Sequence, residues 1–236
     1  ELDAQLAMTR TEAAELKKVV KQLEISLTEK NERVEELEDY KGQRDPMPDD
    51  MEVQLDGMVE YLEAEGWESV CDDGVEADDR IGQLARCAEA EGFEVAIGSS
   101  DKDFLQLIND NVKMWNPADK SGVPMDAAAV VAKTGVQPSQ IVDWLSLVGD
   151  AADNIPGVPG VGVKTAAVLL NEFGSVDGIY ERLAEVRRDK QRDSLAAAEL
   201  VVRRNQSLVA LKLDLTGAPE MDDLRRGFQD ATRLEK

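Results

Sequence analysis

Residues Gly149 to Gly174 read GDAADNIPGVPGVGVKTAAVLLNEFG, and no other stretch constrains the fold so tightly. Two aspartates three residues apart, Asp150 and Asp153, open it. Glycine, proline and valine then alternate through Gly157, Val158, Pro159, Gly160, Val161 and Gly162, which predicts a hairpin. A helix follows from Lys164 through Leu170, and Gly174 stands where a glycine stops a helix. Glycines at a helix mouth let backbone amides approach an anion, and the helix N-terminus adds partial positive charge. Carboxylates suited to hard cations therefore adjoin a backbone cradle for phosphate, a pairing that points to phosphodiester chemistry. On glycine spacing alone, a plain turn between two core helices is the alternative.

Two more acidic clusters lie upstream. Glu76, Asp78 and Asp79 crowd three carboxylates together, which is unfavourable unless something positive sits among them. A helix follows with Ile81, Leu84 and Ala85 on one face, so acids favoured by the helix dipole are the ordinary reading. Phe93 to Gly98 has the apolar run of a buried parallel strand. It delivers Asp101, Lys102 and Asp103 at its carboxyl end, where α/β sheets place their ligands. A helix cap by Asp101 accounts for one aspartate and leaves Asp103 over. Oxygen ligands of this kind suit Mg²⁺ or Mn²⁺. The chain has no histidine, which excludes imidazole acid–base chemistry. A two-metal mechanism needs none.

The remaining elements alternate in an α/β manner. Residues 1–39 carry a seam stepping by four and three, through Leu2, Leu6, Thr9, Ala13, Leu16, Val20, Leu23, Leu27, Lys30, Val34 and Leu37, which predicts a coiled-coil helix and a homo-oligomer. A polar turn from Tyr40 to Pro46 separates it from a helix that starts at Asp49 and Asp50 and stops at Gly66. Ser69 to Cys71 is a short strand candidate, and Val112 to Trp115 a second strand after Phe93 to Gly98. Asp126 caps a short helix ending at Gly135, and Pro138 starts another with Ile141, Leu145 and Val148 inward. Beyond Gly174 the pattern is helical, with Arg187, Arg188, Lys190, Arg192, Arg203 and Arg204 either tracking phosphate or neutralised by nearby acids.

A formal net charge of −22 works against simple nucleic-acid binding, because phosphate contacts need lysine and arginine. Bound cations would neutralise part of it, and the rest reads as a solvated acidic surface. Two cysteines form no disulfide framework, and no signal-peptide or membrane-span pattern occurs, so a reducing cytoplasm is the expected setting.

Taken together, Tyr40-Lys41-x-x-Arg44, Glu76-Ala77-Asp78-Asp79, Asp101-Lys102-Asp103 with Gln106 and Leu107, and the Gly149–Gly174 stretch resemble the 5′-nuclease family, the flap endonucleases and the 5′–3′ exonuclease domain of bacterial DNA polymerase I. The resemblance implies a PIN-like α/β fold, with a parallel sheet flanked by helices over residues 40–148. A helix-hairpin-helix subdomain over 149–215 and a tail over 216–236 would complete it. It implies Glu76, Asp78, Asp79, Asp101, Asp103, Asp150 and Asp153 as ligands to Mg²⁺ or Mn²⁺, and Lys41 and Arg44 at the scissile phosphate. Tyr40, Gly157, Gly160, Gly162, Lys164 and Thr165 would contact DNA, with a potassium ion at the hairpin. The implied reaction is DNA hydrolysis at 5′ ends, flaps and branched duplexes, in replication or repair.

The resemblance runs from Tyr40 to about Leu215 and stops short of the front. Members of the family begin with two further strands, each supplying an aspartate to the first metal, and a heptad helix cannot be either strand. Cleavage by this chain alone is therefore expected to be impaired, and a non-catalytic module that recognises DNA junctions is the alternative.

Overall fold

The computed structural model describes residues 37, 40–42, 47–72 and 74–230. The heptad seam, with the coiled coil and homo-oligomer expected from it, lies outside these residues except for Leu37, which is partly buried against the core. Arg44 also lies outside them.

Helix α1 (Asp49–Ala64) starts behind Pro48, and the chain turns at Gly66, where φ is +83°. Ser69 to Cys71 forms no strand, in contrast to its apolar look. Among the described residues no neighbouring strand offers it a ladder, and the chain instead runs on to Asp72, whose carboxylate meets Arg80 at 2.7 Å.

Helix α2 (Ala77–Ala90) follows, then strand β1 (Val95–Gly98), a 3₁₀ segment (Lys102–Leu107) and strand β2 (Val112–Trp115). The strands are parallel, in register from Val95 opposite Val112 to Gly98 opposite Trp115. The expected parallel sheet is thus present, with two strands among the described residues.

Ile81, Leu84 and Ala85 share one face of α2, as expected, but that face is only partly covered and a polar side of the helix is buried beside it. Ile81 is 38% exposed, while Asp79, Arg80 and Gln83 are buried. The reason is hydrogen bonding to the extended chain beyond residue 210. Asp79 accepts from the Lys212 N–H at 2.9 Å, Arg80 donates to the Thr216 carbonyl at 3.1 Å, and Gln83 donates to the Leu215 carbonyl. A polar side becomes buried when every polar group on it finds a partner. Ile81 and Leu84 instead line an apolar cleft of about 680 Å³ with Phe93, Ile97, Met221 and Leu224. The tail, silent in the sequence, returns to the end of α1, where the Gly227 and Asp230 N–H groups donate to the Gly66 and Ala64 carbonyls at 2.8 and 2.7 Å.

The second half is helical. Helix α3 (Ala127–Thr134) is capped by Asp126, which accepts from the Ala129 N–H at 2.8 Å, and it ends at Gly135 with φ +83°. Helix α4 (Ile141–Val148) leads into β3 (Gly149–Asp150), which pairs antiparallel with β4 (Ile155–Pro156). Helix α5 (Val163–Phe173), helix α6 (Val176–Glu181) and the long helix α7 (Asp189–Val209) complete the described helices. Leu195, Ala198, Val202, Leu208 and Val209 give α7 one apolar face, which packs on α4.

Polar ties set the hairpin's position on this bundle. Asn205 on α7 is fully buried and donates to the carbonyls of Ser146 at 3.0 Å and Pro156 at 2.7 Å, joining α7 to α4 and β4. Asp143 on α4 accepts from the Gln206 side chain at 2.7 Å and from the Val176 N–H at 2.9 Å. A Cβ on Gly157 would lie 2.1 Å from the Val148 carbonyl oxygen, so the close approach of two backbones requires glycine there.

Removing the amide of Asn205 takes the donor from a buried bond to Ser146 and a part-buried bond to Pro156. Asn205→Ala should therefore destabilise the protein by about 2–4 kcal/mol, read as a lower urea midpoint with an unchanged slope. A loss below about 0.5 kcal/mol would show that the tie is dispensable.

Candidate metal centre

Acids from three separate places in the chain meet at one end of the parallel strands. Asp150 ends β3 and Asp153 lies in the turn to β4, both buried. Asp103 stands in the first turn of the 3₁₀ segment that follows β1, and Asp101 caps that segment by accepting from the Asp103 N–H at 3.0 Å. Glu76 and Asp78 open α2. Carboxylate oxygens of Asp103, Asp150 and Asp153 all lie within 4.8 Å of one another.

Both ordinary readings of these acids can be judged from the geometry. Glu76 is at the cap position of α2 but makes no side-chain cap bond, and its carboxylate meets the Lys41 ammonium at 2.5 Å. Asp101 does cap, as the simple reading requires, whereas Asp103 keeps a buried oxygen, Oδ1, with no hydrogen-bond partner. Asp79 accepts from the Lys212 N–H through Oδ1 and, with Glu76, still acts on Asp78.

Charge coupling joins the clusters into one field. Burial raises the Asp103 carboxyl to about 7, and Asp101, Asp150 and Asp153 push it the same way, with Lys102 opposing. Asp78 is also raised, by burial first and then by Asp101, with Glu76 and Asp79 adding and Lys41 opposing. Asp101 thus acts on both Asp78 and Asp103, and the acids form a continuous series from Glu76 to Asp153. Like charges this close are relieved either by a proton, as the raised Asp103 carboxyl shows, or by a cation among them. An orphaned oxygen beside two buried carboxylates, with oxygen as the sole donor type, fits a hard divalent ion.

Two lysines supply the positive charge. Lys102 reaches Asp150 Oδ1 at 2.8 Å. Lys41 has φ +55°, a region that disfavours lysine by about 1 kcal/mol, and is held there by its N–H donating to the Asp153 carbonyl at 3.1 Å. Burial pulls its ammonium down, but Glu76 and Tyr40 more than offset this and the pKa stands above the usual lysine value. The ammonium lies 5.0 Å from the centre of the Tyr40 ring, and Tyr40 itself packs on the core.

The glycine hairpin lies beyond the acids. Gly160, with φ +80°, and Gly162, which caps α5, both face open space, unlike Gly157. Lys164 and Thr165 in the first turn of α5 line a cleft of about 360 Å³ together with Arg187, Arg188 and Gln191. Of the other basic residues, Arg192 pairs with Asp189 at 2.7 Å, and Arg203 pairs with Asp177 and covers the Tyr180 ring.

Three residues position the site through contacts that the sequence does not reveal. Gln106 donates to the carbonyls of Asp103 at 2.9 Å and Val209 at 3.1 Å and accepts from the Leu211 N–H, tying the 3₁₀ segment to the end of α7. Asn205 and Lys102 are the others. Gln106 and Lys102 fall inside the quoted motifs, but nothing in their spacing reveals what they touch.

Comparison with known proteins agrees with this geometry. The family described as 5′–3′ exonuclease, N-terminal resolvase-like domain, matches residues 5–135, and its C-terminal SAM-fold domain matches 136–232. The first match begins upstream of Tyr40. The 5′–3′ exonuclease of Aquifex aeolicus is 37% identical over 207 residues, covering 88% of this chain and 70% of that protein. DNA polymerase I of Rhizobium leguminosarum is 38% identical over 197 residues, 83% of this chain, which spans only 19% of the polymerase. Among solved structures, the bacteriophage T5 flap endonuclease in a pseudo-enzyme–product complex with DNA and metal ions superposes with a TM-score of 0.62 at 26% identity, over 76% of this chain and 70% of that one. No described helix is long and apolar enough to cross a membrane. The chain belongs to the 5′–3′ exonuclease family of metal-dependent nucleases.

Proposed function

We propose that the chain hydrolyses DNA at 5′ ends and flaps with divalent metal, as a cytoplasmic replication or repair nuclease. The observation that carries the proposal is the buried triad of Asp103, Asp150 and Asp153, whose unpartnered Asp103 oxygen calls for a cation. In this reading the triad holds one Mg²⁺ or Mn²⁺, and Glu76, Asp78 and Asp101 contribute to a second. Asp79 supports them through its bond to the chain at Lys212. An ion bound there supplies Lewis-acid stabilisation of phosphoryl oxygens and lowers the pKa of water.

The chain's own residues then bind and orient the substrate. Lys41, poised between Glu76 and Tyr40, gives its charge to the scissile phosphate, with Arg44 beside it in sequence and Tyr40 supporting it. The backbone at Gly160 and Gly162, where a Cβ would meet open space, receives the duplex backbone with the first turn of α5, Lys164 and Thr165, and a potassium ion at the hairpin belongs to the same reading. Gly157 serves by letting the hairpin close.

Cleavage of a 5′-flap DNA in Mg²⁺ tests the function. Asp150→Asn and Asp153→Asn should each lower it by about 100-fold or more. Mg²⁺-independent cleavage, or none in the presence of intact flap binding, would contradict the nuclease reading. Lys164→Ala should weaken flap binding about equally across sequences and reduce the salt slope by about one unit.

The Asp103 carboxyl also sets a pH dependence. Its folded-state pKa of about 7 lies above the unfolded value, so the metal-free native state binds the extra proton between about 4 and 7. Metal-free stability should therefore fall as pH rises through that window, and Asp103→Asn should flatten the curve. Thermal melts in EDTA read this directly. A curve that keeps its slope in Asp103→Asn would assign the titration elsewhere.

A further inference from the structure

Lys102 is placed between the ligand candidates Asp101 and Asp103 in sequence, and it turns back onto Asp150 in space. Its ammonium lies 2.8 Å from Asp150 Oδ1, and its charge also acts on Asp103. We propose that Lys102 is a resident counter-cation: it holds the triad together when no divalent ion is bound, gives way when one binds, and so sets the metal affinity. The proposal rests on reading Asp103, Asp150 and Asp153 as a metal centre.

Geometry identifies the lysine as the part that moves. Asp150 is only 6% exposed, and its Oδ1 also accepts the Ala152 N–H at 3.0 Å, so the carboxylate is fixed from two sides. The Lys102 side chain is 38% exposed and has a flexible stem that can turn to solvent at little loss. Lys41 is not equivalent. Its ammonium is committed to Glu76 and lies over Tyr40, and its backbone is tied to Asp153.

Chemistry explains why the lysine is a partial substitute. An ammonium is a compact single charge, and here it meets one carboxylate of the three. Asp103 Oδ1 still has no partner. A divalent ion brings twice the charge and accepts six or more oxygens, so it satisfies the set where the lysine does not. Competition follows from charge alone. A positive group held at Asp150 repels an incoming cation and must leave, which lowers affinity. The same group stabilises the metal-free fold by separating acids that otherwise repel one another.

The test uses the full chain with Mn²⁺ as the probe, in wild type and in K102M, K102Q and K102R. Binding is measured by isothermal titration calorimetry, and melting temperature in EDTA. K102M and K102Q should bind Mn²⁺ roughly tenfold more tightly, about 1.4 kcal/mol, and melt at lower temperature in EDTA, while K102R stays near wild type in both. Unchanged or weaker Mn²⁺ binding in K102M and K102Q, with wild type binding normally, overturns the counter-cation role and leaves the metal centre standing. Absence of Mn²⁺ binding in wild type and all variants removes the metal centre itself, and the proposal with it.

Discussion

Mutual repulsion among Glu76, Asp78, Asp101, Asp103, Asp150 and Asp153 is the constraint around which this protein is arranged. Burial and neighbouring charge together lift Asp103 to about 7, roughly three units above an ordinary aspartate. No fold would gather such groups for stability. They stay together because hydrogen bonds elsewhere over-determine the backbone that carries them. Asn205 anchors the segment bearing Asp150 and Asp153, Gln106 anchors the one bearing Asp103, and Asp79 anchors α2 to the chain at Lys212. The strain at Lys41 belongs to the same economy, since an unfavourable φ brings an ammonium to the acids.

The centre joins the two parts of the molecule. Glu76, Asp78, Asp101 and Asp103 come from the elements around the parallel strands, and Asp150 and Asp153 come from the hairpin between α4 and α5. Lys102 bridges the parts through Asp150, and Lys41 bridges them through its bond to the Asp153 carbonyl. Against the overall charge of −22, a few cations are grouped together. Lys164, Arg187 and Arg188 share one cleft beside the hairpin, while Arg192 and Arg203 are spent on local acids.

Much of this was legible in the residues. Local rules located the caps at Asp126 and Gly135, the stop at Gly174 and both parallel strands, because these depend on a few adjacent residues. The acidic clusters were legible as chemistry, since carboxylates are too unfavourable together to be accidental. Long-range polar ties were not. Asp79, Arg80 and Gln83 look solvent-facing on α2, and only the return of the chain at residues 211–216 makes their burial favourable. Ser69 to Cys71 has strand-like residues, yet a strand needs a neighbour, which no local pattern can promise. The need for glycine at 157, set by the Val148 carbonyl behind it, was likewise not legible.

The central claim is that a cation belongs among Asp103, Asp150 and Asp153. Crystals grown with Mn²⁺ and measured at the manganese absorption edge address it most directly. The account predicts an anomalous peak within coordination distance of all three carboxylates, with the Lys102 ammonium displaced from Asp150. Ordered carboxylates with no peak between them, and Lys102 still on Asp150 at saturating Mn²⁺, would contradict it.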